Sequence, residues 1–260
     1  MDRDLGRILT RASFDRKRDQ LPALAGIAGR WGELSNDTYL AGIWLSHLPQ
    51  GLLWSNACPE KPRPKSYSAP SWSWTSLDNF FQELPADEAF KLLSHQIELE
   101  FPDLPYGKVK DGSITIRGKV IPMLWNLNDK SLRAPDADHG YLHPDFVGVS
   151  LDVWEGYNED NEDNEDNECE QQDFEEVWLL QLVLFDDISR KGPAGLVLKK
   201  DESNKCRRLG IYFYDQRGGF IRFVDEVSLH QENWYFYEAM IEEQRKSLTR
   251  IIEPTTLIIL

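Results

Sequence analysis

The sequence predicts an α+β fold, a short N-terminal helical layer followed by a mostly antiparallel β-sheet or barrel. Three observations predict it. Apolar residues recur at helical spacing before Pro49. Beyond Asp78 the apolar runs become short, alternate with polar residues and are bounded by turn formers, as strands are. The composition also suffices for a core, with 41% of the 260 residues hydrophobic and nine Trp among them, more apolar surface than a disordered chain carries.

The elements follow in order. Leu5 to Phe14 is amphipathic but has no start signal, as if cut from something longer. Asp19 can cap a helix with Pro22 in its first turn, and Leu21, Leu24, Ile27, Ala28 and Trp31 carry its apolar face to about Leu34. Gly26, Gly29 and Gly32 fall every third residue. With no strand before them they do not form a phosphate-cradling loop and mark a helix packed closely on another element. A second helix is expected from Thr38 to Leu48, with Leu40, Ile43, Trp44 and Leu48 on its apolar face and Pro49 ending it. Leu52-Leu53-Trp54 is a short apolar segment, and the prolines at 59, 62 and 64 make Asn56 to Ser68 a loop.

Ser71 to Thr75 alternates and reads as a strand entered at Pro70, with Trp72 and Trp74 buried on one face and the serines facing out. Ile97 to Phe101 is a strand. Val109 to Val120 reads as a hairpin turning at Asp111-Gly112. Asn126 to Pro144 is a polar loop. Strands follow at Phe146 to Trp154, Val177 to Phe185, Gly195 to Leu198, Leu209 to Tyr214 and Phe220 to Val224 as a meander. Trp234 to Lys246 is a helix, and Ile258 to Leu260 is a strand tied into the sheet. The chain thus divides into residues 1–78, a helical segment with a Trp-rich strand, and residues 79–260, a β-rich domain holding a disordered acidic insertion at 156–176.

Charge narrows the function classes. Asn158 to Glu176 contains eleven acidic residues and no Lys or Arg, and removing those eleven from the net charge of −15 leaves −4. The repeated Asn-Glu-Asp triplet repels itself and buries nothing, so it reads as a solvated loop. It lacks the glycine and ligand spacing of a calcium loop. A weakly acidic body argues against nucleic-acid binding, and the N-terminal Arg3, Arg7, Arg11, Arg16, Lys17 and Arg18 are interrupted by Asp2, Asp4 and Asp15, so no basic stripe forms. No stretch approaches the ~20 apolar residues of a membrane span. Met1 is followed by Asp-Arg-Asp rather than an apolar leader. Cys58, Cys169 and Cys206 are odd in number and widely spaced, which fits a reducing cytoplasmic setting rather than a disulfide framework.

The candidate sites are weighed against plainer roles. His139 and His143, with Asp136, Asp138 and Asp145, have zinc or manganese chemistry. Yet Pro135, Gly140 and Pro144 prevent the helix that would set both rings on one face, and the segment reads as a solvated loop. Trp72 and Trp74 could stack on a sugar, but they read as core, faced by Trp31, Trp44 and Trp54. Cys58 and Cys206 have no activating neighbour in the sequence. No nucleophile elbow or phosphate loop is present. The sequence therefore assigns no catalytic, cofactor-binding or metal-binding residue, and no enzyme activity.

One set of residues is more specific. Leu9-Thr10, Asp19 to Ala28 (DQLPALAGIA), Tyr39 to Trp44 (YLAGIW), Leu52-Leu53-Trp54 and Tyr67 to Ser76 (YSAPSWSWTS) resemble, in order and spacing, the segment that follows the HET domain in fungal heterokaryon incompatibility proteins. Tyr106-Gly107-Lys108-Val109 to Gly118 resembles that family's glycine-bounded hairpin. Gly195 to Leu198 and Arg207 to Ile211 resemble its C-terminal strands. The HET domain itself, implicated in triggering cell death, has no counterpart in this sequence, so no functional residue carries over. The resemblance implies a scaffold or regulatory region in non-self recognition and programmed cell death, without catalysis, and with a protein partner. A truncated relic or a decoy lacking the effector domain is the variant of that reading, and a carbohydrate-binding β module using exposed Trp is the alternative outside it.

Overall fold

A computed structural model describes residues 20–56, 59, 63–64, 66–77, 87–88, 90–126, 131–133, 147–153, 174–186, 191–214 and 253–260. The structure is α+β. One helix, α1 (Gln20–Ser35), precedes a minimal hairpin of β1 (Tyr39–Leu40) and β2 (Ile43–Trp44). The large sheet has ten strands: β3 (Asp87–Glu88), β4 (Phe90–Leu99), β5 (Val109–Gly118), β6 (Val120–Asn126), β7 (Leu132–Arg133), β8 (Val147–Leu151), β9 (Phe174–Asp186), β10 (Lys191–Lys200), β11 (Cys206–Tyr214) and β12 (Thr255–Ile259).

Its main path runs β4-β5-β12-β11-β10-β9-β6-β7, with β3 on β9 and β8 on β11. Among the described residues all pairings are antiparallel except β11 with β12. β5 and β6 are separated only by Lys119, yet they stand far apart on the path. Gly118 pairs with Phe90 and Thr255, whereas Val120 pairs with Leu180. One strand thus switches partners at a corner, as strands do where sheets bend, and the sheet curls without closing. The C-terminal strand lies between β5 and β11, as its apolar sequence predicts.

α1 buries Leu21, Leu24 and Ala28, the residues its period places together, while Ile27 is half exposed. The ring of Tyr106 lies against Gly29 and Gly32, which is the close packing the glycine spacing predicts.

Three local expectations are corrected. Thr38 to Leu48 is not a helix. Ala41 and Gly42 have φ of 44° and 99°, so they form a two-residue left-handed turn that reverses the chain between Leu40 and Ile43, and such primed turns match strand twist. A short 3₁₀ turn at Leu45–His47 follows. Ser71 to Thr75 is not a strand either. It turns, then forms a 3₁₀ turn at Trp74–Ser76, because the Ser73 hydroxyl accepts the Thr75 N–H and offers the backbone an alternative to a ladder. Asp111-Gly112 is not a hairpin turn. β5 passes straight through it, pairing Gly112 with Ile97, and the glycine is there because a Cβ would meet Pro70 at 2.6 Å. The hairpin is instead β4–β5. The expected insertion is also shortened, since Phe174 to Glu176 belong to β9.

The first and larger core cluster joins Leu21, Leu40, Ile43, Leu52, Leu53 and Trp72 to β-sheet residues such as Ile116, Leu180, Leu196 and Leu257. The second contains Ile121, Met123, Trp125, Val177, Leu179, Val197 and Tyr212. β9 and β10 supply both clusters, which is why they read as continuous apolar runs.

Candidate functional site

The most unusual chemistry in the described residues is a charge buried at the junction of three remote segments. β11 alternates, with Cys206 in and Arg207 out. That phase turns Arg208 inward, where it is 0% exposed. A buried guanidinium must find a counter-charge and acceptors for its donors, and this one does. Its Nε donates to both oxygens of Asp152, at 3.3 and 3.1 Å, and its terminal nitrogen donates to Asp152 at 3.0 Å. It also donates to the Leu52 carbonyl at 2.7 Å and to the Trp54 carbonyl. Its Cζ sits 3.4 Å from the centre of the Trp54 ring, a cation–π arrangement.

Asp152 is equally enclosed, just past the end of β8. Arg63 donates to it at 3.2 Å and to the Arg208 carbonyl at 3.0 Å. The Asn56 amide donates to the Asp152 carbonyl at 2.5 Å, and the Asp152 N–H donates to the Leu209 carbonyl at 2.7 Å. Burial pushes the Arg208 guanidinium down to about 10, opposed by the pull of Asp152, so it stays charged at neutral pH. Every partner of the guanidinium is internal. The arrangement can therefore lock Leu52, Trp54, Asn56 and Arg63 onto β8 and β11, and it offers no donor to a ligand.

The Trp-Ser segment completes this lock. Trp54 Nε1 donates to the Trp72 carbonyl at 2.9 Å, Ser73 Oγ donates to the Ala41 carbonyl at 2.5 Å, and Trp74 Nε1 donates to the Gly42 carbonyl at 2.8 Å. Ser71 Oγ accepts the Arg208 N–H at 3.0 Å. Trp54 and Trp72 are each 1% exposed, so Trp72 is core, as the sequence predicts, and neither ring is free to stack on a sugar. Trp74, expected to be buried beside Trp72, is only partly buried. The serines do not face out; Ser73 is fully buried.

A second feature is aromatic. Tyr39, Trp44 and Tyr106 form a tilted cluster with ring centroids 4.9 to 6.3 Å apart. Burial, and then Tyr106, raise the Tyr39 phenol above its ordinary value. The cluster joins the small hairpin to the β4–β5 connection and, through Gly29 and Gly32, to α1.

The metal candidates His139, His143, Asp136, Asp138 and Asp145 lie outside the described residues, as do Cys58, Cys169, the Asn-Glu-Asp repeat, the strand expected at 220–224 and the helix expected at 234–246. Cys206 is buried in β11, and burial pushes its thiol up to about 11, which disfavours the reactive thiolate. The sequence reading missed Arg208 and Asp152. The available signal was phase, because Arg208 shares the parity of Cys206 and Gly210 in an apolar strand.

No family model matches the chain, and neither a curated protein nor a solved structure matches it.

Proposed function

We propose that the chain is a non-catalytic scaffold and regulatory region of a fungal heterokaryon incompatibility protein, serving non-self recognition and programmed cell death through a protein partner. One observation carries this reading beyond the resemblance itself. The segments that resemble the family, remote in sequence, serve one another structurally. Leu40 and Ala41, Leu52 to Trp54, Ala69 and Trp72 are buried. The Trp-Ser segment bonds to the Ala41-Gly42 turn, to Trp54 and to Arg208 of β11. Ser71, Ser73 and Trp74 direct their polar atoms to internal backbone groups, while Trp72 Nε1 and Ser76 Oγ are buried without a hydrogen-bond partner among the described residues. A segment built mainly of internal bonds specifies a framework rather than a reaction centre, and this supports the scaffold role.

The test is expression in a filamentous fungus, alone and joined downstream of a HET domain, with cell death scored by vital-dye uptake. The expected result is that the chain alone leaves viability unchanged, and that in the fusion it changes the onset of death relative to the HET domain alone. Trp72→Ala in the fusion should abolish that change. A fusion that behaves as the bare HET domain would overturn the proposal.

A further inference from the structure

β4 forms one end of the sheet path, and among the described residues no strand pairs with its outer edge. Ten residues of open edge are a pairing template. The chemistry along it is self-complementary. Phe90-Lys91-Leu92 at one end and Ile97-Glu98-Leu99 at the other are each apolar, charged, apolar, with opposite charges.

In a regular strand Lys91 and Glu98 would lie on opposite faces, since their separation is odd. Here the register shifts between Leu92 and Ser94, leaving Leu93 as the extra residue, and a bulge resets the alternation. Lys91 thereby stands opposite Arg117 and Glu98 opposite Asp111, on the exposed face. Phe90, Leu92, Ile97 and Leu99 pack toward the core on the other.

Both charged positions meet a like charge across the β4–β5 ladder. Lys91 faces Arg117 and Glu98 faces Asp111, and like charges directly opposite one another destabilise a sheet. Lys110 bonds Glu98 at 2.5 Å. Among the described residues neither Lys91 nor Arg117 has a carboxylate within ion-pair distance.

We infer that the β4 edge pairs antiparallel with β4 of a second copy of this chain, about a two-fold axis at His95, with the bulged Leu93 of each copy left unpaired. That register sets Lys91 against Glu98 of the second copy, twice. It sets Leu92 against Ile97 and Phe90 against Leu99. Across four strands the exposed face then reads Arg117, Lys91, Glu98, Asp111, two cations meeting two anions. The two bulges, which elsewhere spoil an edge, flank the axis symmetrically and leave both arms extended. The inference does not depend on the family reading.

The test is sedimentation velocity of the full chain over a range of concentrations, with circular dichroism to confirm folding of each variant. The wild type should dimerise reversibly and dissociate at high salt, because the pairs are exposed. K91E and E98K should each weaken the dimer by about tenfold or more, since each puts like charges at both contacts. Mixing the two variants should restore a dimer, because a K91E strand complements an E98K strand at both ends. A wild type that stays monomeric, or pairs only with an extended peptide from another protein, would overturn the inference. So would a dimer indifferent to both substitutions, or folded single variants that fail to associate when mixed.

Discussion

Replacing Asp152 with Asn removes one charge from the core and almost nothing else. The side chain keeps its size, so no cavity opens. The backbone bonds from Asn56 and to Leu209 remain. What is lost is the charge and one of the two oxygens that together take three contacts from Arg208, at 3.0 to 3.3 Å, and one from Arg63 at 3.2 Å. The amide oxygen still accepts, while the NH2 group faces guanidinium donors. Arg208 is left fully buried with two carbonyls and a ring face in place of a counter-charge. Breaking a buried pair by removing one partner costs about 3–5 kcal/mol. Arg208→Met should cost a similar amount, because it strands the carboxylate and the Leu52 and Trp54 carbonyls. The double variant removes the Arg208 guanidinium together with the carboxylate, so it should lose less than the sum of the single losses by at least about 1 kcal/mol. Urea unfolding followed by tryptophan fluorescence, fitted with a common slope, gives all four corners of the cycle. High salt should not reduce the coupling, because a buried pair is screened little. If Asp152→Asn costs under about 1 kcal/mol and the two losses simply add, the carbonyls and the Trp54 ring satisfy the guanidinium unaided, and the lock has been misassigned.

Other consequences follow from close approaches and from burial. Gly26→Ala should stabilise the protein by about 0.5–1 kcal/mol through helix propensity, since a Cβ there meets nothing within 4 Å. Gly32→Ala should destabilise it, because the same Cβ would lie 2.1 Å from the Tyr106 hydroxyl; thermal midpoints of the two variants should move in opposite directions. Gly195→Ala should cost at least about 1–3 kcal/mol, since its Cβ would fall 1.8 Å from the Leu180 carbonyl oxygen and only backbone movement could relieve it, which chemical denaturation reads directly. Alkaline unfolding carries the signature of Cys206. Its folded pKa of about 11 stands above the ordinary 9.0, so the folded state holds the thiol proton longer, and the associated stability is intact below pH 9 and lost as pH rises through about 11. Cys206→Ala should flatten that window in a pH series of denaturation midpoints, leaving the later fall from buried Tyr212, whose phenol is also raised by burial.

The sheet was legible where one physical signal acted alone. Val177 to Phe185 is apolar but for Gln181 because β9 is covered on both faces, and Leu21, Leu24 and Ala28 share a face because nothing in α1 competes with helical period. It was illegible where a tertiary contact decided. Asp111-Gly112 has the composition of a turn, but the glycine answers the approach of Pro70 from a distant loop, and no local signal encodes that. Tyr39 to Trp44 has helical spacing at Leu40, Ile43 and Trp44, yet Ala41-Gly42 reverses the chain. There the dipeptide outweighed the period, because a run so short gains little from helix formation.

The lock around Arg208 shows why its residues escaped a search for chemistry. Arginine and aspartate are read as surface or site residues, since burying either is costly. Their placement makes sense only once Leu52, Trp54, Asn56 and Arg63 are brought against β8 and β11, and that convergence belongs to the fold rather than to any motif. The Trp-Ser segment was misread for a related reason. Its alternation satisfies a strand, but serine hydroxyls can bond to backbone within reach, and Ser71 and Ser73 do so, to β11 and to the Ala41 turn. The aromatic rings supply the burial and the hydroxyls supply the address. A segment built this way holds its neighbours in one arrangement, and its specificity in sequence is a consequence of how many separate backbone groups it must satisfy at once.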